Sequence, residues 1–274
     1  MTSTLHTPTG IAYDRGGPRD DLPVVLIHAG VADRRMWDPQ WSALTAERDA
    51  VRLDLRGFGE STERPHGALS PVDDVIDTLA GIGLERCHLV GASFGAGVAV
   101  EVALTRPELV DSLLLSAPGG SLIAEATPDL QAFFDAEGSA LAGDDLDAAV
   151  EANLTSWVDG PHREPGEVDP RLRDRVREMQ RRAFDVTADW DDIEEQELDP
   201  PALERLAEIQ ARTMVLVGAL DLDAIVDTAR RVSDGIPDAR RVDWPDTAHL
   251  PSMERPGDFL ALLRNWLRHG DAAY

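Results

Sequence analysis

Cys87-His88-Leu89-Val90-Gly91-Ala92-Ser93-Phe94-Gly95 is the stretch on which the fold is read. Residues 87–92 form a short apolar run of strand type, and residues 96–104 beyond them are helix-like. A serine in the pattern G-x-S-x-G at such a junction sits on a sharp strand-to-helix turn with its hydroxyl exposed. The tight backbone leaves no room for side chains on either flank, and glycine tolerates the dihedrals required, which accounts for Gly91 and Gly95. Amides at the start of the helix would also favour negative charge developing on a reacting oxygen. Ser93 is therefore the candidate nucleophile, and the chain around it is expected to be a strand feeding a helix.

Further apolar runs at residues 24–28, 51–55, 113–116 and 214–217 alternate with helix-like segments. Near-continuous strands of this kind belong to a mostly parallel central sheet with flanking helices, so the fold class is α/β. Ser70, Pro71, Asp73 and Asp74 have the form of an N-cap, a first-turn proline and dipole-matched acids, which predicts a helix over residues 71–81. A strand at 241–244 and a terminal helix from Pro256 are also expected. Between Pro118 and Arg212 the strand pattern gives way to helical spacing at residues 130–141, 146–157 and 172–184, with a loop at 159–170. In the last helix Leu172, Val176, Met179 and Ala183 share one face. The expected organisation is a core of residues 1–119 and 212–274 with an inserted helical lid at 120–211. That insert carries 24 Asp and Glu against 8 Arg, a net −16 out of −25 for the chain, and reads as a solvated outer surface.

Composition narrows the chemistry. The 274 residues suffice for one large core with an insertion, and no apolar run approaches the roughly 18 to 20 residues of a membrane span. Residues 1–10 lack the pattern of a signal peptide, so a soluble, cytoplasmic protein is expected. The net charge of −25 argues against nucleic acid as a partner. All 26 basic residues are Arg, so lysine Schiff-base chemistry and pyridoxal phosphate attachment are excluded. The single cysteine, Cys87, precludes an intrachain disulfide and cysteine-based metal sites, and is expected to be a buried structural thiol. No cofactor or metal is expected.

Four motifs in this order resemble the α/β-hydrolase family, over essentially the whole chain. Val24-Val25-Leu26-Ile27-His28-Ala29-Gly30 is similar to the family's oxyanion-loop strand, and Met36-Trp37-Asp38-Pro39-Gln40 is similar to small esterase and enol-lactonase members. Asp54-Leu55-Arg56-Gly57-Phe58-Gly59-Glu60-Ser61 resembles the D-x-R-G-x-G-x-S segment, and the nucleophile turn comes third. Leu216-Val217-Gly218-Ala219-Leu220-Asp221 and Asp246-Thr247-Ala248-His249-Leu250 resemble the strand-end acid and the late histidine loop, in the chain order Ser, Asp, His. The resemblance implies an α/β-hydrolase fold and an oxyanion hole made by the backbone amides of Phe94 and Gly30. Ala29 stands where the family usually has glycine.

Serine is a weak nucleophile at neutral pH and needs a base within reach plus a group that fixes the base's tautomer. The resemblance assigns these roles to His249 and Asp221. Asp223 is a rival acid in the same loop, set aside because Asp221 falls three residues after Gly218, and Asp223 is expected to cap the next helix. His28 is read as holding its loop by a hydrogen bond, and His6, His66, His162 and His269 as ordinary histidines. A serine at the elbow disfavours the dehalogenase and epoxide-hydrolase chemistries that use aspartate there. The expected function is hydrolysis of a small-molecule carboxylic ester or lactone through an acyl-enzyme. Carbon–carbon hydrolysis, perhydrolysis and acyl transfer on the same residues stay open, as does a non-catalytic ligand receptor on a hydrolase scaffold. Phe133, Phe134, Trp157, Phe184 and Trp190 are candidates to line an apolar pocket, though each is read first as lid core.

Overall fold

A computed structural model of the chain describes residues 4–268, so His269 and the first three residues of the N-terminal stretch lie outside the described residues. In chain order the strands are β1 (Leu5–His6), β2 (Ala12–Gly16), β3 (Val24–Ile27), β4 (Ala50–Leu53), β5 (Cys87–Ala92), β6 (Val110–Ser116), β7 (Arg212–Gly218) and β8 (Arg240–Trp244). They form one sheet in the order β1-β2-β4-β3-β5-β6-β7-β8. From β4 to β8 every neighbour is parallel, while β1 and β2 add an antiparallel edge. β3 and β5 are buried at every residue, as helices covering both faces require. Sequence reading missed β1 and β2 for a physical reason: Tyr13, Asp14 and Arg15 interrupt any apolar run, and only Ala12 and Asp14 are buried in β2.

The helices are α1 (Asp38–Thr45), α2 (Pro71–Gly81), α3 (Phe94–Thr105), α4 (Pro128–Ala142), α5 (Leu146–Asn153), α6 (Pro170–Thr187), α7 (Asp223–Gly235), α8 (Pro251–Glu254) and α9 (Pro256–Arg268). α2 spans the predicted residues because its start is chemically marked: the Ser70 hydroxyl accepts the Asp73 amide at 3.2 Å, and Pro71 occupies the first turn. α3 is buried along nearly its whole length, which fits its lack of any polar face. α1 packs on α9, where Trp37 just before α1 meets Phe259 with ring centroids 5.7 Å apart. Both aromatics are fully buried, and each contributes roughly 1.5–3 kcal/mol through apolar area removed from water.

β6 and β7 pair directly in parallel although residues 117–211 run between them outside the sheet. That intervening chain carries α4, α5 and α6. The helix expected over 146–157 is α5 followed by a wider π-type turn, Leu154–Asp159, and the loop after it contains a 3-10 turn at Pro165–Glu167. Val176, Met179 and Ala183 of α6 are buried on one face, with Leu172 packed partly against the core. Among the described residues no helix is long and apolar enough to cross a membrane. Cys87 is buried, and burial pushes its thiol up to about 12.

Candidate active site

The strand order changes direction between β3 and β5, which lie side by side while β4 lies on the outer side of β3. In open parallel sheets the carboxyl ends at such a point form a crevice. β3 delivers His28, Ala29 and Gly30 to it, and β5 delivers Ser93.

Ser93 adopts φ 50° and ψ −116°, a left-handed conformation that costs of order 1–3 kcal/mol for a residue with a side chain. Neighbouring hydrogen bonds hold it there: its amide donates to Ser116 O at 2.9 Å, and its carbonyl accepts from Ala96 at 2.8 Å and from Gly97 and Gly119, each at 3.2 Å. A Cβ on Gly91 would lie 2.3 Å from Gly95 O, and one on Gly95 would lie 2.4 Å from His28 O. Both glycines are thus dictated by backbone approach. Phe94 opens α3, so its amide has no carbonyl one turn back to bond. Gly30 lies against Phe94, since a Cβ on Gly30 would be 3.5 Å from Phe94 Cβ.

The Ser93 hydroxyl is 2.7 Å from His249 Nε2, and His249 Nδ1 is 2.8 Å from Asp221 Oδ2 and 3.1 Å from Oδ1. Asp221 and His249 are both buried, and Asp221 Oδ1 also accepts the Leu222 amide at 2.8 Å. The loops carrying them touch through Gly218, where a Cβ would lie 2.2 Å from Thr247 O, and through the Leu220 amide, which donates to Thr247 O at 3.0 Å. Asp223 is brought nowhere near this chain of bonds. It is exposed, begins α7 as a first-turn acid, and its amide donates to Asp129. The expectation that Asp223 caps the helix is corrected: Leu222 is the cap residue and no side chain caps it.

His28 is fully buried, with Nδ1–H donating to Ala29 O at 2.8 Å and Nε2 accepting from the Leu55 amide at 2.9 Å. One donor and one acceptor is the pattern of a neutral imidazole. Burial holds it below the usual histidine range, against the opposing pull of Asp54. Ala29 is accommodated without a left-handed backbone, and its amide meets Met36 Sδ at 3.3 Å.

The D-x-R-G-x-G-x-S segment proves to be a brace. Asp54 accepts the Arg34 amide at 2.7 Å and the Glu60 amide at 2.8 Å and pairs with the Arg34 guanidinium. Ser61 donates to Asp54 O and accepts the Ala12 amide, both at 2.8 Å. Gly59, at φ +51°, leaves room for the Asp54 carboxylate.

Sequence reading missed Glu254. Its carboxylate accepts the amides on both sides of His249, Ala248 at 3.0 Å and Leu250 at 3.3 Å, and pairs with Arg163 at 2.6 Å. Arg163 in turn donates to Val158 O and Asp159 O. Burial pushes the Glu254 carboxyl up, opposed by Arg163 and the two amides. Its only sequence signal is an acid in the first turn of α8, five residues after His249.

Ser93 and His249 open into a cavity of about 520 Å³ lined also by Gly30, Phe94, Ile123, Phe134, Trp157, Trp190 and Ile225. Trp157 packs on His249 with centroids 4.5 Å apart and on Phe133 at 5.1 Å. Of the five aromatics singled out from sequence, Phe134, Trp157 and Trp190 line the cavity, while Phe133 is buried in the core and Phe184 is partly buried against it. Among the described residues no cluster of His, Cys, Asp and Glu could hold a metal ion.

A family model described as "Alpha/beta hydrolase family" matches residues 24–262. A protein named "Putative carbamate hydrolase RutD" from Caulobacter sp. (strain K31) is 26% identical, over 97% of this chain and 98% of its own. Two solved structures share the fold. One, Est816, is described as an N-acyl homoserine lactone degrading enzyme, at TM-score 0.75 and 23% identity over 96% of this chain and 100% of that one. The other is the enol-lactonase from Burkholderia xenovorans LB400, at TM-score 0.74 and 21% identity over 94% and 96%.

Proposed function

The chain belongs to the alpha/beta hydrolase family, and on that premise we propose that it is a serine hydrolase cleaving a carboxylic ester or lactone through an acyl-enzyme. The observation that carries this reading is the continuous hydrogen-bonded chain from Ser93 through His249 to Asp221 at one wall of a largely apolar cavity. His249 Nε2 takes the hydroxyl proton as Ser93 Oγ attacks the substrate carbonyl carbon, and Asp221 holds the Nδ1–H tautomer and balances the imidazolium that forms. The Phe94 and Gly30 amides receive the developing oxyanion. Collapse breaks the carbon–oxygen bond, with His249 returning its proton to the leaving alkoxide. Water then gives a proton to His249 and attacks the acyl carbon, releasing the acid and restoring Ser93. Residues 120–211 act as the lid over this chemistry, with Trp157 closing against His249.

A lid of net −16 and an apolar lining favour a neutral or weakly polar substrate. Because one relative carries a carbamate hydrolase name, alkyl carbamates belong in the substrate panel beside esters and lactones. The test is turnover of such a panel by the wild type and by Ser93→Ala, with fluorophosphonate labelling of each. Loss of labelling and a fall in kcat on the order of 10⁶ are expected for Ser93→Ala. Retention of more than about a thousandth of the wild-type rate would count against Ser93 as the nucleophile.

A further inference from the structure

The lid also contributes polar residues to the lining of the cavity. Glu137 comes from α4, Asn153 from α5, and Gln180 and Thr187 from α6, the Thr187 hydroxyl donating to Ala183 O at 3.0 Å. Asn153 is 3% exposed, and its Nδ2 donates both to Glu137 Oε1 at 2.5 Å and to Ala149 O at 3.0 Å. Both amide protons are therefore spent, and the opposite amide orientation would set Oδ1 against two acceptors, so Oδ1 is left as an acceptor. Glu137 accepts that bond with one oxygen and has the other to spare. Gln180 is 5% exposed; its Oε1 is buried without a partner among the described residues and closed to the cavity, and its amide also carries donors, so the acceptors of the subsite are those of Glu137 and Asn153.

Among the described residues no free cation of the lining offsets these acceptors, since it holds one guanidinium, Arg56. Its nitrogens are committed elsewhere: to both Asp74 oxygens at 2.6 and 2.8 Å, to Thr9 O at 2.9 Å and to Glu63 O at 3.1 Å. Glu195 adds another carboxyl to the lining.

We propose that the lid forms a subsite for a hydrogen-bond-donating group of the substrate, an amide N–H or an ammonium, with Glu137 and Asn153 as its acceptors. The inference rests on the serine hydrolase reading for what happens at the other end of the cavity, but the subsite itself is testable by binding alone. A substrate with a carboxylate at this position is disfavoured, because it would face Glu137 with no guanidinium free to meet it.

The test is calorimetric titration of the Ser93→Ala protein, which turns nothing over, with four ligands of matched chain length: N-methylhexanamide, hexylammonium, methyl hexanoate and hexanoate. The amide and the ammonium are expected to bind at least about tenfold more tightly than the ester, and hexanoate at least about tenfold more weakly than hexylammonium, the scale of one buried hydrogen bond. Glu137→Gln in the same background turns an acceptor into a donor and should bring the four affinities within about threefold. Equal affinities in the parent, a preference for hexanoate, or a ranking unchanged by Glu137→Gln each overturns the subsite. Should Glu137→Gln fail to fold, as judged by circular dichroism, the ranking in the parent decides. Ser93-dependent turnover is measured separately, so failure of the subsite and failure of the hydrolase reading give different results.

Discussion

Asp221 and Asp223 are two residues apart, yet one is buried against His249 and the other begins a helix in solvent. Asp221→Asn keeps the shape but loses the charge that fixes the imidazole tautomer, so kcat is expected to fall by about 10⁴, while Asp223→Asn changes it less than about threefold. Steady-state kinetics of both variants check this, and the reverse ranking would reassign the acid. His28 gives a second expectation at this scale, through pH. Its ordinary value is 6.5 and burial lowers it in the folded protein, so below 6.5 the unfolded chain takes up a proton that the folded one refuses. The stability His28 contributes is present in full above 6.5 and is lost as pH falls from there towards the folded value, by at most about 1.4 kcal/mol per pH unit. Urea unfolding at pH 7.5 and pH 5 should therefore show the gap between wild type and His28→Asn shrinking at the lower pH. A constant gap would mean that His28 is not held neutral.

At the scale of elements, the segment from Leu154 to Arg163 and the histidine loop are joined by a largely buried ion pair. Arg163 and Glu254 are 14% and 7% exposed, and between them they tie the end of the 154–159 turn to the amides flanking His249. Glu254 is absent from the cavity lining and holds the amides on either side of His249, so the role expected of it is to position that residue. Glu254→Gln is expected to lower kcat about 10- to 100-fold with little change in KM, since the loop moves while the cavity wall stays. An equal change in KM instead would point to a role in binding. Arg163→Met strands a buried carboxylate and should cost about 3 kcal/mol in denaturant unfolding, part of which Glu254→Gln restores in the double variant. Simple additivity of the two would show that they do not act as a pair.

Over the whole molecule the net charge of −25 is unevenly spread, with −16 on residues 120–211. Like charges at these distances repel across a Debye length that shrinks from about 30 Å at 0.01 M salt to about 8 Å at 0.15 M. The melting temperature should therefore rise by a few degrees over that range, and a fall would mean that attractive ion pairs dominate the long-range balance. The same scale separates what is legible in the chain from what is not. The elbow at Ser93, the parallel strands and the helix from Pro71 to Gly81 are readable because each rests on neighbours in sequence: an apolar run, a glycine on either side, a serine before a proline. β2 is not, since it owes its place to pairing with β4, and its own residues alternate too weakly to announce a strand. For His249 and Asp221 a family resemblance supplied the candidates, whereas their bonds to Ser93 and to each other cross 156 and 28 residues of chain and exist only because β5, β7 and β8 end on the same side of one sheet. The bracing by Glu254, the acceptors of Glu137 and Asn153, and the choice of Phe134, Trp157 and Trp190 over Phe133 and Phe184 as cavity wall were likewise decided by tertiary structure alone. The physical reason is common to all of them: local sequence sets backbone conformation and which face is apolar, but which side chains meet across a cavity depends on how separately specified elements pack.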